Sequence, residues 1–144
     1  MLLEDDKMSV RLASIKAISI FASRCSKIRQ QCLRYLIDML NDEIDEVRIG
    51  ALHGIGRFNK VLSLSEYDID SVLFNLNEDN LLLRSHIYAL FGSTTIPDEH
   101  LLFNLIERLV ANLWKYQHSK EDQIMIYSVL KKIGSNKSHA HLIV

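Results

Sequence analysis

Proline is almost absent from this sequence, Pro97 being the single one, and only five glycines accompany it. So few helix breakers and hairpin formers, set among abundant Leu, Ile, Lys, Glu, Ser and Ala, favour helices over a sheet. Cysteine is scarce as well, with Cys25 and Cys32 alone. Neither Cys-x-x-Cys nor His-Glu-x-x-His spacing occurs, which excludes the common zinc and thiol-exchange motifs. No apolar stretch approaches the roughly 18 uncharged residues that a membrane span needs. The nearest, Leu101 to Leu113, is broken by Glu107 and Arg108. Met1 to Met8 holds three acids where a secretory leader would carry basic residues and then an apolar run. An excess of charge of either sign is missing too, with 17 Lys and Arg against 18 Asp and Glu. A formal net charge of −1 excludes a globally basic nucleic-acid binder and a strongly acidic chain, and leaves local patches to be read. Together these absences predict a soluble all-α protein in a reducing, intracellular setting. With 48% hydrophobic residues in 144, it has enough apolar side chains for one domain's core.

What the sequence does have is internal repetition. Val10-Arg11-Leu12-Ala13-Ser14-Ile15-Lys16-Ala17-Ile18 superimposes on Val47-Arg48-Ile49-Gly50-Ala51-Leu52-His53-Gly54-Ile55 at an offset of 37, which also brings Asp5 onto Asp42 and Leu3 onto Leu40. A weaker third copy sets Leu83-Arg84 over Val47-Arg48 at an offset of 36, with Asp79 displaced by one. A fixed period of this size marks a repeat architecture in which each unit buries its apolar face against the next. Between the copies lie further amphipathic stretches. Ile28, Cys32, Leu36, Met39 and Leu40 recur at three and four residues, and Ile69, Val72, Leu73 and Leu76 do the same, so the unit is a helix pair.

The pattern predicts helices over 7–23, 27–41, 44–58, 65–77, 80–92, 97–117 and 120–134. Pro97 suits a first helical position with Asp98 and Glu99 behind it at the positive end of the helix dipole. Gly134 with Asn136 supplies a stop. Met1 to Glu4 reads as the tail of a preceding helix, so that the chain starts in mid-repeat. The expected organisation is one repeat domain over 1–144, built of a partial unit 1–23 and pairs 27–58, 65–92 and 97–134, with 135–144 as a tail.

The Asp-x-x-x-x-Val-Arg-x-x-Ala arrangement at Asp42, Val47, Arg48 and Ala51 resembles the second helix of HEAT repeats, and Asp5, Val10 and Arg11 resemble it too. From about Leu36 onward there is a closer likeness. Met39-Leu40-Asn41-Asp42-Glu43-Ile44-Asp45-Glu46-Val47-Arg48, then Leu105 to Tyr116, then Leu130-Lys131-Lys132-Ile133-Gly134-Ser135 are similar, in the same order, to the Integrator complex subunit 4 family. The resemblance implies a right-handed α-solenoid of about three to four helix pairs. It also implies a non-catalytic nuclear scaffold that supports a pair of metallo-β-lactamase-type nuclease subunits during small nuclear RNA 3′-end formation. It carries over no catalytic residue and no cofactor.

Arg11, Arg48 and Arg84 recur once per repeat and could form a phosphate ladder. Carboxylates at Asp5, Asp42 and Asp79, each at the start of the same helix or its neighbour, give a guanidinium its preferred partner, so a structural role is favoured. Cys25 and Cys32 are separated by a turn near Ser26 and read as small apolar side chains. His139 and His141 form a His-x-His without further ligands and read as exposed. Trp114 and Tyr116 close a long helix, where packing between repeats is favoured over a binding hot spot. Ile15, Ile18 and Phe21, and Ile124, Tyr127 and Leu130, are expected to form end faces that promote self-association.

The strongest charge feature lies between Lys7 and Ile37, which holds seven cations and no acid, followed by five acids from Asp38 to Glu46. Arg24, Lys27, Arg29 and Arg34 around the expected turn are candidates for an anion or partner contact, with inositol polyphosphate as a possible ligand class. Among functions, a protein-holding scaffold leads. A HEAT or armadillo adaptor in transport or phosphatase assembly would use the same fold with another partner. A helical-repeat DNA glycosylase would need an acid and aromatics lining a basic groove, a constellation with no counterpart in this sequence.

Overall fold

The computed structural model describes residues 2–61 and 63–136, with side chains described for 7–60 and 63–136. Among these residues there are seven α-helices and no strand. They are α1 (Leu2–Arg24), α2 (Arg29–Met39), α3 (Asp45–Gly56), α4 (Glu66–Phe74), α5 (Leu81–Ser93), α6 (Glu99–Lys115) and α7 (Lys120–Ser135), with short 3-10 turns at Asn59–Val61 and Asn75–Asn77. The chain divides into two compact units, Met1–Leu62 and Ser63–Val144. None of the helices is long and apolar enough to cross a membrane.

In the first unit α1 packs chiefly on α3, and α2 lies against both. The face that α2 buries, Cys32, Leu33, Leu36 and Ile37, has the three-to-four spacing its sequence shows. Each leucine so enclosed stabilises the unit by about 1.5–3 kcal/mol. The α1–α3 contact is close because small side chains meet there. Ser19 is buried and its hydroxyl donates back to the Ile15 carbonyl at 2.6 Å. Facing it is Gly54, where a Cβ would run into Ser19 Oγ. Val47, Ala51, Leu52 and Ile55 complete the core from α3.

In the second unit α5 packs mainly on α7, and α6 also lies against α7. Three helix starts are closed by an N-cap of the residue type the sequence provides. Ser65 and Asp68 form a capping box on α4, the Asn80 side chain accepts the Leu83 N–H at 3.1 Å, and Ser119 accepts the Asp122 N–H at 3.2 Å. The α6 start differs from expectation. Asp98 is the N-cap, its carboxylate accepting the Leu101 N–H at 2.9 Å, and Pro97 stands one residue outside the helix. Asp98 can satisfy an otherwise unpaired N–H of the first turn and proline cannot, which sets the boundary.

Two other boundaries also move. Leu2 to Arg24 is one continuous helix, so Leu2 to Glu4 do not end a separate one; no Gly or Pro interrupts the segment. Gly134 lies inside the last turn of α7, and Asn136 is the C-cap. Of the expected tail 135–144, residues 137–144, with His139 and His141, lie outside the described residues.

Candidate interaction surface

The three repeat arginines occupy three different settings. In the first unit, Arg11 on α1 reaches Asp42 just ahead of α3, with Nη1 donating to both carboxylate oxygens at 3.0 and 3.1 Å. Asp42 also accepts the Ile44 N–H at 2.9 Å, so it tethers the helix start while holding the arginine. Arg48 on α3 pairs with Asp45 in its own first turn. The side chain of Asp5 lies outside the described residues.

Arg84 on α5 is the buried member, its side chain 5% exposed. Its Nε and Nη2 donate to the two oxygens of Asp122 at 2.8 and 2.9 Å, the fork geometry that suits a guanidinium to a carboxylate. Asp79, the partner suggested by repeat alignment, is fully exposed at 3.9 Å and is secondary. Asp122 also accepts the Tyr88 hydroxyl at 3.0 Å and the Ser119 hydroxyl at 2.7 Å. Tyr88 in turn accepts from Asn112 Nδ2 at 3.1 Å, and the Arg84 guanidinium stacks 3.8 Å over the Tyr116 ring. Burial would by itself raise the Asp122 pKa, but hydrogen bonds from Arg84, Ser119 and Tyr88 outweigh it and hold the carboxyl below its usual range. The hydrogen bond to Asp122 keeps Arg84 charged, and burial pushes the Tyr88 phenol up. Sequence reading missed Asp122. The Ser119-x-x-Asp122 cap was the available signal, but nothing local says that the same carboxylate also turns inward.

The basic residues of the first unit surround the α1–α2 turn. Arg24 ends α1, Lys27 lies in the turn, Arg29 opens α2, and Arg34 follows on α2; Arg24, Lys27 and Arg34 are exposed. Arg29 is partly committed, because its Nε donates to the Ala22 carbonyl at 2.7 Å and so closes the end of α1. At about 100° per residue, Arg34 is turned roughly 140° from Arg29 around α2. Cys32 is buried and Cys25 half-buried, both free thiols; burial, then the neighbouring Cys25, raises the Cys32 pKa. No group of three or more His, Cys, Asp or Glu suited to a metal occurs among the described residues.

Large apolar side chains stand in solvent. Trp114 is 72% exposed, so it does not pack inside the helical layers as expected; its position on α6 points it away from the face that buries Leu102, Leu105 and Leu109. Phe21, Ile124 and Tyr127 are exposed as well, whereas Ile15 is buried and Ile18 and Leu130 half-buried, so the end faces are narrower than expected. Most of the exposed aromatics belong to α4 and α6: Tyr67, Phe74, Phe103 and Trp114. Residues of both helices, including Leu73, Phe74, Asn104 and Arg108, line a groove of about 540 Å³.

Each of the three repeat arginines is thus paired with a carboxylate of its own unit. Comparison with curated proteins finds relatives for the chain. The chain is 30% identical to human Integrator complex subunit 4 over 133 residues, 92% of its length. It is 27% identical to Integrator complex subunit 4 of Drosophila melanogaster over 142 residues, 99% of its length. The resemblance to the Integrator complex subunit 4 family holds along nearly the whole chain. It extends to Dictyostelium discoideum, whose Integrator complex subunit 4 homolog is 26% identical over 142 residues. The chain spans only 11–14% of the length of these Integrator relatives. No family model matches it.

Proposed function

We propose that this chain is a non-catalytic scaffold segment of the Integrator type, a right-handed array of three to four HEAT-type helix pairs over 1–144 that holds other protein subunits in the nucleus. The observation that carries this reading is the match to Integrator complex subunit 4 along 92–99% of the chain in distant organisms. The helix pairs and their paired repeat arginines support it: Arg11 on Asp42, Arg48 on Asp45 and Arg84 on Asp122 act in cohesion rather than in catalysis. The partners in this reading are the paired metallo-β-lactamase-type nuclease subunits, and the process is small nuclear RNA 3′-end formation.

Affinity capture of the tagged chain from nuclear extract, followed by quantitative mass spectrometry, tests the reading. Enrichment of the nuclease pair supports it; enrichment of importin or phosphatase subunits instead would assign the chain to a different adaptor class. Arg24, Lys27, Arg29 and Arg34 form the proposed anion or acidic-partner contact. An exposed electrostatic contact weakens as salt shortens the Debye length below about 10 Å. Titration of an inositol polyphosphate should therefore show binding that falls with salt and with Arg24→Glu/Lys27→Glu. Binding unchanged by both would leave the turn a solvated face.

A further inference from the structure

The face of α4 and α6 combines two features. The first is an apolar line. Phe103, Val110 and Trp114 are all exposed on α6, and at about 100° per residue they fall within roughly 20° of one line along the helix. Their span of eleven residues is about 16 Å, or three helical turns. On α4, Tyr67 and Phe74 are exposed seven residues apart, again on one side. Leu73, Phe74 and Ala111 contribute to the groove between the two helices.

The second feature is charge. From Ser65 to Trp114 the sequence has eight acids, two arginines and no lysine. Arg84 is buried on Asp122, and Arg108 lays its guanidinium toward the Leu73 carbonyl at 3.4 Å, across the groove. Exposed Asp70 and Glu107 line the groove. Asp98 and Glu99 border an adjoining concavity of about 880 Å³ that shares Asn104 and Glu107 with it.

We propose that the α4–α6 face is a docking groove for a basic amphipathic helix of a partner protein. Its apolar side covers Phe74, Phe103 and Trp114, and its lysines or arginines meet Asp70, Asp98, Glu99 and Glu107. An apolar track three turns long is what an amphipathic helix with anchors at i, i+4 and i+7 fills. Aromatic anchors within a polar rim are the usual composition of a binding centre. The acidic rim selects the sign of the partner's charge, since like charges brought together at a desolvating contact are disfavoured. The same rim disfavours anionic lipid and nucleic acid. This inference rests on the reading of the chain as a protein-holding module and names the chemistry of one partner segment.

The test uses the full 144-residue chain and three labelled 14-residue peptides. One is an amphipathic Leu/Lys helix, the second has Glu at every Lys, and the third is a scrambled Leu/Lys sequence without a continuous apolar face. Fluorescence anisotropy reports binding, and Trp114, the single tryptophan, reports where. The Lys helix is expected to bind at least about tenfold more tightly than either control and to shift Trp114 emission. Phe103→Ser and Glu107→Lys should each weaken it by about fivefold or more, and Ile124→Ser on α7 should leave it unchanged, with folds checked by circular dichroism. Equal affinity for the Glu or scrambled peptide, or binding unaffected by Phe103→Ser, overturns the proposal. Concentration-dependent dimerisation abolished by Phe103→Ser also overturns it, by assigning the face to a second copy. Capture of nuclease subunits without peptide binding removes the groove and keeps the scaffold; peptide binding without their capture does the reverse.

Discussion

The two compact units contain the same repeat arginine and use it differently. In the first, Arg11 meets Asp42 with its side chain 36% exposed, and cohesion between α1 and α3 comes from close apolar packing around Ser19 and Gly54. In the second, Arg84 and Asp122 are enclosed, and Tyr88, Asn112, Ser119 and Tyr116 complete a polar network between α5, α6 and α7. A recurring motif therefore fixes which side chain will seek a carboxylate. How much that pairing contributes depends on what else surrounds it, because desolvation magnifies both the interaction and the cost of breaking it.

The sharpest way to break this contrast is Asp122→Ala. It leaves the buried Arg84 charge without its main partner and should destabilise the second unit by about 3–5 kcal/mol, read by urea unfolding with amide exchange to separate the units. A loss confined to less than about 1 kcal/mol would mean that water replaces the carboxylate readily.

Next in size is a glycine comparison. Gly54→Ala drives a methyl against Ser19, held by the helix backbone on both sides, and should cost about 1–3 kcal/mol in the first unit. Gly92→Ala meets Lys132 Cδ at 3.3 Å, a side chain that can swing away, with Lys132 Nζ and Val129 Cγ2 at ordinary contact distances, so that substitution should be near neutral or slightly stabilising. Thermal unfolding of the two variants side by side distinguishes them, and equal losses would deny that α1–α3 is the tighter contact.

Exposed or partly exposed pairs should matter less. Arg11→Ala is expected to cost about 1 kcal/mol or less, and Arg48→Ala about 1 kcal/mol, with binding to partners unchanged in both. Lost binding at full stability in Arg48→Ala would turn that arginine into a contact residue.

The pH dependence sharpens the same comparison. Asp122 holds its proton less readily folded than unfolded, so its stabilisation is complete above the ordinary carboxylate pKa of about 4 and is lost as pH falls through the lower folded value. Tyr88 behaves oppositely. Its raised phenol pKa leaves stability intact below about 10 and erodes it as pH climbs toward the folded value. Amide exchange should show both losses in α5 and α7 while α1–α3 responds less at the alkaline end.

By itself the sequence determined the class of the molecule and its helical units. The helices were legible from two signals, the three-to-four apolar rhythm of α2 and α4 and the 37-residue repeat that joins α1 to α3, while Ser65, Asn80 and Ser119 cap helix starts through local hydrogen bonds. The family likeness was legible too, since it rests on order and identity along the chain. Tertiary structure decided what rhythm cannot encode. Trp114 and Leu109 sit five residues apart on one helix, yet one is exposed and the other buried, according to where neighbouring helices stand. Asp122 reads as an N-terminal helix carboxylate until α5 brings Arg84 against it from 38 positions away. Asp70 and Glu107 are ordinary surface acids until α4 and α6 place them on one groove. Helix propensity and capping act within a few residues, whereas charge pairing, burial and grooves depend on distances in space that only packing sets.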